Sequence, residues 1–255
     1  MLAIERRELI LNQLRQNRCV LVGELSRQFS VSEETIRRDL ERLEREGYAA
    51  KTYGGAVYCG DTQREQPFVV REKTNVQAKQ QIAGLVADLL SEGERLMLDE
   101  SSTSVFVARR ICNKRSMTLI TNSLEVQMVL ADTTGWNILS TGGSFKGRSL
   151  ALVGSQAEAT LRSYHVNTAV ISCKGLDMEH GLSDAGDDSA AIKRAMIAAA
   201  DRVILAIDHT KFNHISFVHL CDLLDIDILV TDRQPSDRWQ EYLNTIGVRC
   251  ICAQE

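Results

Sequence analysis

No apolar run in this chain reaches the roughly 18 residues that a membrane-spanning helix needs. The N-terminus carries Glu5, Arg6 and Arg7 where a signal peptide would carry its apolar stretch. A cytoplasmic setting without a membrane partner is therefore expected. Cysteine lacks any framework: the seven residues are odd in number and irregularly spaced, which suits reduced thiols better than disulfides. Positive charge is not in excess either. With 30 Lys and Arg against 34 Asp and Glu, the net charge of −4 argues against indiscriminate nucleic-acid binding. Internal repeats and low-complexity tracts are also missing. What remains, over 255 residues, suits a small head and a larger core-bearing body.

The stretch from Leu21 to Ala56 holds the clearest local signals. Ser32 stands where a helix N-cap belongs, Val31 and Ile36 are spaced as a hydrophobic staple, and Glu33 and Glu34 put negative charge at the positive end of the helix dipole. Ile36, Leu40 and Leu43 recur at helical spacing, with Gly47 as a C-terminal stop. The opposite face carries Glu34, Arg38, Arg42 and Arg45, with Thr35 and Arg37 on its flanks. A first helix over 4–16, a short one over 24–29 and a turn at Ser30-Val31 complete a helix-turn-helix. Gly54-Gly55, between short β-prone runs over 48–58, predicts a hairpin wing. In such a unit the N-terminal part of the second helix enters the major groove while basic neighbours hold phosphates. Glu34, Thr35 and Arg38 are the candidates for base contact, and Arg37, Arg42 and Lys51 for phosphate contact; Ser32 and Tyr53 complete the candidate DNA-binding set. The first 58 residues hold ten Lys and Arg against nine Asp and Glu, so any basic surface is local.

Residues 59–74 lose periodicity, gain polar residues and contain Pro67, and read as a linker between a head over 1–58 and a body over 75–255. The body alternates between strand-like and helix-like segments. Strands are expected at 95–98, 117–120, 137–139, 168–171, 202–207 and 228–230, with helices over 75–90, 102–111, 123–130, 190–200 and 236–246. That order implies a mainly parallel sheet covered by helices. Polar clusters directly follow five of the strands, at Asp99–Thr103, Thr121–Ser123, Thr141–Gly143, Cys173–Asp177 and Asp208–Lys211, the edge where open α/β sheets bind ligands. Ser101, Ser102 and Thr103 would enter a helix with hydroxyls and free N–H groups able to hold a phosphate. Thr121, Asn122 and Ser123 repeat the arrangement, Gly142 and Gly143 allow close backbone approach, and Lys174 or Lys211 supplies positive charge.

Two other chemistries have residues of the right type. His209, His214, His219 and Cys221 lie close together in sequence, but a histidine spacing of five fits neither a helix face nor a familiar zinc pattern, so no metal is expected. Asp177, Glu179, Asp184, Asp187 and Asp188 could supply a carboxylate base, although acidic residues in a loop are usually solvated.

The run VSEETIRRDLERLEREG and the following KTYGGA resemble the DNA-binding signature of the DeoR family of bacterial regulators of sugar metabolism. LDESST, ITNS, STGG, KGLD and DHTKF resemble, in order, its phosphosugar-sensing domain, so the resemblance spans nearly the whole chain. It differs in having Lys51 and Tyr53 where the family's wing usually has arginine and histidine, and Ser101 where its sensor usually has glycine. The resemblance implies a winged helix-turn-helix joined to a Rossmann-like, mainly parallel α/β sensor similar to ribose-5-phosphate isomerase. It further implies a transcriptional repressor of a carbohydrate-utilisation operon, without a cofactor and without enzymatic activity. Its partners would be double-stranded operator DNA, a phosphorylated sugar and further copies of itself, as a dimer or tetramer. Effector contacts would come from Asp99, Ser101, Ser102, Thr103, Thr121, Asn122, Ser123, Gly142, Gly143, Lys174, Gly175, Asp177 and Lys211. A sugar-phosphate isomerase-like enzyme carrying a DNA-binding head is the alternative.

Overall fold

The computed structural model describes residues 2–17, 19–45, 48–52, 54–58 and 66–253. The chain divides into two compact units, Met1–Pro67 and Phe68–Glu255. Gly47 and Tyr53, and the 59–65 part of the expected linker, lie outside the described residues.

The first unit contains α1 (Ala3–Asn17), β1 (Cys19–Leu21), α2 (Val22–Phe29), α3 (Glu33–Arg45), β2 (Ala49–Thr52) and β3 (Gly55–Tyr58). Ile10 and Leu14 of α1, Leu25 of α2 and Ile36, Leu40 and Leu43 of α3 bury their side chains in one core. The turn between α2 and α3 forms because Ser30 adopts the left-handed conformation at φ 52° and Val31 N–H donates to the Ser26 carbonyl at 3.2 Å. The wing has three antiparallel strands in the order β1-β3-β2. The sequence signal found its hairpin but not β1, which is three residues long. Gly55 is required by this third strand, since a Cβ there would stand 1.9 Å from the Val20 carbonyl oxygen. Asp39, on the inner face of α3, is buried against Arg6 of α1 at 2.6 Å.

The second unit opens with α4 (Phe68–Lys73) and α5 (Val76–Leu89). Residues 68–73 were expected in the linker; instead Phe68 is buried in the body's core and its N–H donates to the Arg148 carbonyl at 2.9 Å. Then come β4 (Arg95–Leu98), α6 (Ser102–Ile111), β5 (Thr118–Thr121), α7 (Leu124–Leu130), β6 (Asn137–Ser140), β7 (Ser144–Lys146), β8 (Ala151–Val153), α8 (Ser155–Arg162) and β9 (Val166–Ile171). The chain ends with β10 (Gly175–Asp177), β11 (Gly181–Asp184), α9 (Asp187–Ala198), β12 (Ala200–Ala206), β13 (Val218–Cys221), β14 (Ile228–Thr231), α10 (Asp237–Ile246) and β15 (Arg249–Cys252).

Seven strands form one parallel sheet in the order β15-β14-β12-β9-β4-β5-β6. Alternate residues of β4 enter opposite cores, Met97 on one face and Leu96 and Leu98 on the other, as a sheet covered on both sides demands. The chain winds outward from β4 to β6 and then outward the other way from β9 to β15, so the winding reverses between β4 and β9. In open α/β sheets such a reversal is the place of the ligand crevice, here at the carboxyl ends of β4 and β9. Two small additions lie beside the sheet, the β7–β8 hairpin and an antiparallel sheet of order β10-β11-β13. Among the described residues no helix is long and apolar enough to cross a membrane.

Candidate functional site

On the first unit the outer face of α3 is the candidate nucleic-acid surface. Ser32 caps the helix, its hydroxyl accepting from Thr35 N–H at 3.2 Å and lying 2.8 Å from the Thr35 hydroxyl. Thr35 is thereby half-buried, and Glu34, Arg37, Arg38 and Arg42 are exposed. Arg37 pairs with Glu33 at 2.6 Å and Arg38 with Glu34 at 3.3 Å, both exposed pairs one helical turn apart. Such pairs contribute only about 0.3–0.5 kcal/mol and release their arginines readily to a phosphate or a base. On the wing, Lys51 donates to Glu41 at 2.8 Å; this hydrogen bond holds the Glu41 carboxyl below its ordinary range and the Lys51 ammonium above its own.

On the second unit the crevice between β4 and β9 is built around buried charge. Asp99, at the end of β4, is fully buried and uses both carboxylate oxygens. Oδ1 accepts Ser101 N–H at 3.0 Å and the Ser104 hydroxyl at 2.6 Å, and Oδ2 accepts Ser172 N–H, at the end of β9, at 2.9 Å. Asp99 therefore clamps the two strand ends that flank the crevice. Lys193 of α9 reaches the same place, its ammonium 3.5 Å from Asp99 and hydrogen-bonded to Asp184. Burial pulls the Lys193 pKa down, but Asp184, Asp99 and Glu100 outweigh it and hold the ammonium above the usual lysine range. Asp184 is the converse: burial pushes its carboxyl up, and Lys193 and Lys174 hold it below the usual range. Glu100 has no such excess of positive neighbours, and burial raises its pKa.

The remaining expected effector residues divide into braces and open positions. Ser101 caps α6, accepting Ser104 N–H at 3.0 Å, and Ser123 caps α7, accepting Val126 N–H at 3.2 Å. Thr121 ties β5 to β4 by donating to the Leu98 carbonyl at 2.7 Å and accepts Ser123 N–H at 3.1 Å. These hydroxyls shape the loops. Ser102 and Thr103 lie buried in the first turn of α6, whose N-terminus opens at the carboxyl end of β4. Asn122 is buried and donates to Glu100 at 3.0 Å and to the Leu152 carbonyl at 3.1 Å. Gly142 and Gly143 have φ of 65° and 106°. A Cβ on Gly143 would stand 2.6 Å from the Val153 carbonyl oxygen, so Gly143→Ala should lower thermal stability by at least about 1 kcal/mol; an unchanged melting curve would show that the loop relaxes freely.

Gly175 lies against backbone, an added Cβ falling 2.3 Å from the His214 carbonyl oxygen. Lys174 N–H donates to the Ser183 carbonyl at 2.9 Å, and its charge is felt by Asp184. Lys211 sits in a short 3-10 turn after β12, where it and Thr210 outweigh burial and hold Asp208 below its ordinary range. Asp177 is not brought to the buried cluster. The β10–β11 register pairs Asp177 with Gly181 at the hairpin turn, three residues and about 10 Å from Asp184. Its carboxylate accepts the Glu179 and His180 N–H groups there. Farther along the sheet edge, a cavity of about 470 Å³ is lined by Asn75–Ala78, Gln81, His209, Asp232, Arg233 and Ala253.

Sequence reasoning did not identify Glu100 or Lys193. Lys193 had one signal, a lysine set among Ser189, Ala190, Ile192, Ala195 and Met196, small or apolar residues at helical spacing. The histidines do not converge: His209 Nδ1 is 2.7 Å from Asp232, and His219 Nε2 is 3.3 Å from Asp222. Among the described residues no group of three or more His, Cys, Asp or Glu side chains could hold a metal ion. Cys173, beside the crevice, has its thiol pushed up to about 12 by burial, which leaves no reactive thiolate at neutral pH.

Residues 6–62 match the model of the DeoR-like helix-turn-helix domain and residues 74–233 that of the DeoR C-terminal sensor domain. The chain belongs to the DeoR family. DeoR-family relatives match over almost their whole length. The HTH-type transcriptional regulator YulB of Bacillus subtilis is 39% identical over 91% of this chain and 90% of its own. The HTH-type transcriptional repressor GlcR of the same organism is 35% identical over 98% and 96%, and the L-fucose operon activator of Haemophilus influenzae 35% over 93% and 95%. Among solved structures, ribose 5-phosphate isomerase A of Methanocaldococcus jannaschii aligns with a TM-score of 0.41 at 16% identity, over 55% of each chain. DeoR-family proteins are transcriptional regulators, not enzymes, and this chain is a DNA-binding regulator with a sensor domain. The site agrees with that role: Asp184, the one buried carboxylate among the candidate bases, is held ionised by Lys193, which makes it a weak base.

Proposed function

We propose that this regulator is a cytoplasmic repressor of a carbohydrate-utilisation operon whose hold on DNA is released by a phosphorylated sugar bound at the β4–β9 crevice. The observation that carries the reading is that the α6 and α7 N-termini, the Gly142-Gly143 loop and the segments holding Lys174 and Lys211 all follow strands at one edge of the sheet. Ser102, Thr103 and the two lysines are assigned to the phosphate, since free first-turn N–H groups and positive charge suit a dianion. Repression is favoured because an operon silent until its own intermediate accumulates needs only one signal. A relative named as an activator shows that the same architecture also serves the opposite sign.

The head reads DNA with Glu34, Thr35 and Arg38 near bases and with Arg37, Arg42 and Lys51 near phosphates. Tyr53 belongs to this proposed set by its place in the wing sequence. One such head makes a small interface, so two or four copies are needed for useful affinity at a two-fold operator. Arg37→Ala should weaken binding to every duplex alike and make the dependence of log affinity on log salt shallower by about one unit. An unchanged slope would remove Arg37 from the backbone contacts.

The deciding experiment is thermal unfolding of the full-length protein with glucose 6-phosphate, fructose 1-phosphate, fructose 6-phosphate, ribose 5-phosphate, the parent sugars and inorganic phosphate. A ligand at about a hundred times its dissociation constant adds roughly 2.7 kcal/mol. Stabilisation by one phosphosugar and not by its sugar supports the reading; none by any phosphosugar contradicts it.

A further inference from the structure

Among the buried side-chain polar atoms of the sensor domain that have no hydrogen-bond partner, two belong to residues associated with the same charged cluster. Asn122 Oδ1 is one and Ser189 Oγ the other, on residues 0% and 2% exposed. Asn122 is tied to the cluster through its amide nitrogen, which donates to Glu100 at 3.0 Å. Ser189 is tied to it through α9, where it precedes Lys193 by four residues and so shares the face that carries the ammonium to Asp99 and Asp184. An unsatisfied buried polar atom is costly and uncommon in a native protein. Two on residues linked to one charged cluster point to groups whose partner arrives from outside.

Charge identifies which part of a ligand they meet. Asp99, Asp184 and Glu100 outnumber the cations that act on them, Lys193 among them and Lys174 near Asp184, and the hydrogen bond of Lys193 is taken by Asp184. A phosphate dianion would be repelled there, whereas hydroxyl groups can donate to Asn122 Oδ1 and Glu100 and exchange a hydrogen bond with Ser189 Oγ. The phosphate accordingly stays at the α6 N-terminus and the lysines.

We infer that Ser189, Asn122 and Glu100 form a hydroxyl-reading subsite that sets which phosphosugar is sensed. This rests on the phosphosugar reading of the crevice. It extends that reading by assigning specificity to residues apart from those that hold the phosphate. A site built to pair with a substrate hydroxyl discriminates strongly against analogues lacking it, because its own buried groups are then left bare.

The test uses full-length protein with Ser189→Ala and Glu100→Gln. Titration calorimetry compares whichever panel phosphosugar stabilises the parent with glycerol 3-phosphate, and thermal unfolding is followed without ligand. Ser189→Ala should raise the unfolding temperature of the empty protein, since it removes a hydroxyl with no partner, and should narrow the preference for the phosphosugar over glycerol 3-phosphate about tenfold. Glu100→Gln should narrow the same preference. A lower unfolding temperature for Ser189→Ala would mean that its hydroxyl serves the fold, and would overturn the assignment. So would an unchanged preference in both variants, with the phosphosugar still bound by the parent, and that result would leave the function standing. A parent that binds no phosphosugar would remove both.

Discussion

Lys193→Met should lower the unfolding free energy of the sensor domain by about 3–5 kcal/mol at pH 7, the largest effect expected of any single substitution here. Methionine fills much of the same volume, so the loss is electrostatic: Asp184 and Asp99, 1% and 0% exposed, keep their burial and lose their cation. The pH dependence carries the distinguishing sign. In the parent, Asp184 is held below its ordinary pKa, so its contribution is complete above about pH 4 and disappears as pH falls through the lower folded value. In the variant the Asp184 carboxyl, its burial no longer offset by Lys193, rises above its unfolded pKa. The folded state then binds more protons than the unfolded one, and the deficit shrinks as pH drops from 7 towards 5. Urea unfolding at pH 7 and pH 5 checks this. A deficit that is equal at both pH values, or below about 1 kcal/mol, would show that Lys193 does not organise the crevice.

Arg38→Ala should abolish most of the preference for the operator over unrelated duplex. A well-placed arginine contributes roughly 1–3 kcal/mol of base discrimination, from several-fold to more than a hundredfold. Stability should hardly change, because the Arg38–Glu34 pair is exposed, with 76% and 64% of the two side chains accessible. Ligand-induced stabilisation of the sensor should also persist, since Arg38 belongs to the other unit. Competition binding with specific and random duplexes separates the outcomes. Unchanged selectivity would mean that another face of α3 enters the groove, and a uniform loss on all duplexes would reassign Arg38 to the phosphates.

The sequence was most legible where chemistry is local. The α3 cap is visible because Ser32, Val31 and Ile36 act within five residues of one another, and the capping hydrogen bond forms as the spacing requires. The parallel sheet was legible through its long periodic helices, whose alternation with apolar runs leaves little choice of topology. The strands of the small additions were not, because β7, β8 and β10 have only three residues and too few positions for a period of two to register. Helix α4 was hidden behind Pro67 and a stretch rich in charge, and only the burial of Phe68 reveals that it belongs to the body.

The site was legible as a set of loops but not as a set of roles. Position after a strand places Asp99, Ser101, Thr121 and Ser123 at the carboxyl edge of the sheet. Only geometry shows that their side chains are engaged in clamping strands and capping helices. Lys193 and Glu100 were missed for a related reason. A charged residue on a helix or in a loop normally faces water, and its burial depends on partners distant in sequence, here Asp99 and Asp184 for Lys193.

Occupancy of the crevice is proposed to change the grip of the heads on DNA. Linkage makes the effect reciprocal, so a phosphosugar that weakens DNA binding is itself bound more weakly by the DNA complex, by the same factor. The most direct measurement takes a duplex selected by the full-length protein from a random pool and follows its dissociation constant by fluorescence anisotropy. The titration is repeated with the phosphosugar that stabilises the protein, with its unphosphorylated sugar and with neither. The account predicts a loss of affinity of at least tenfold with the phosphosugar alone. An affinity unchanged at saturating phosphosugar would contradict it.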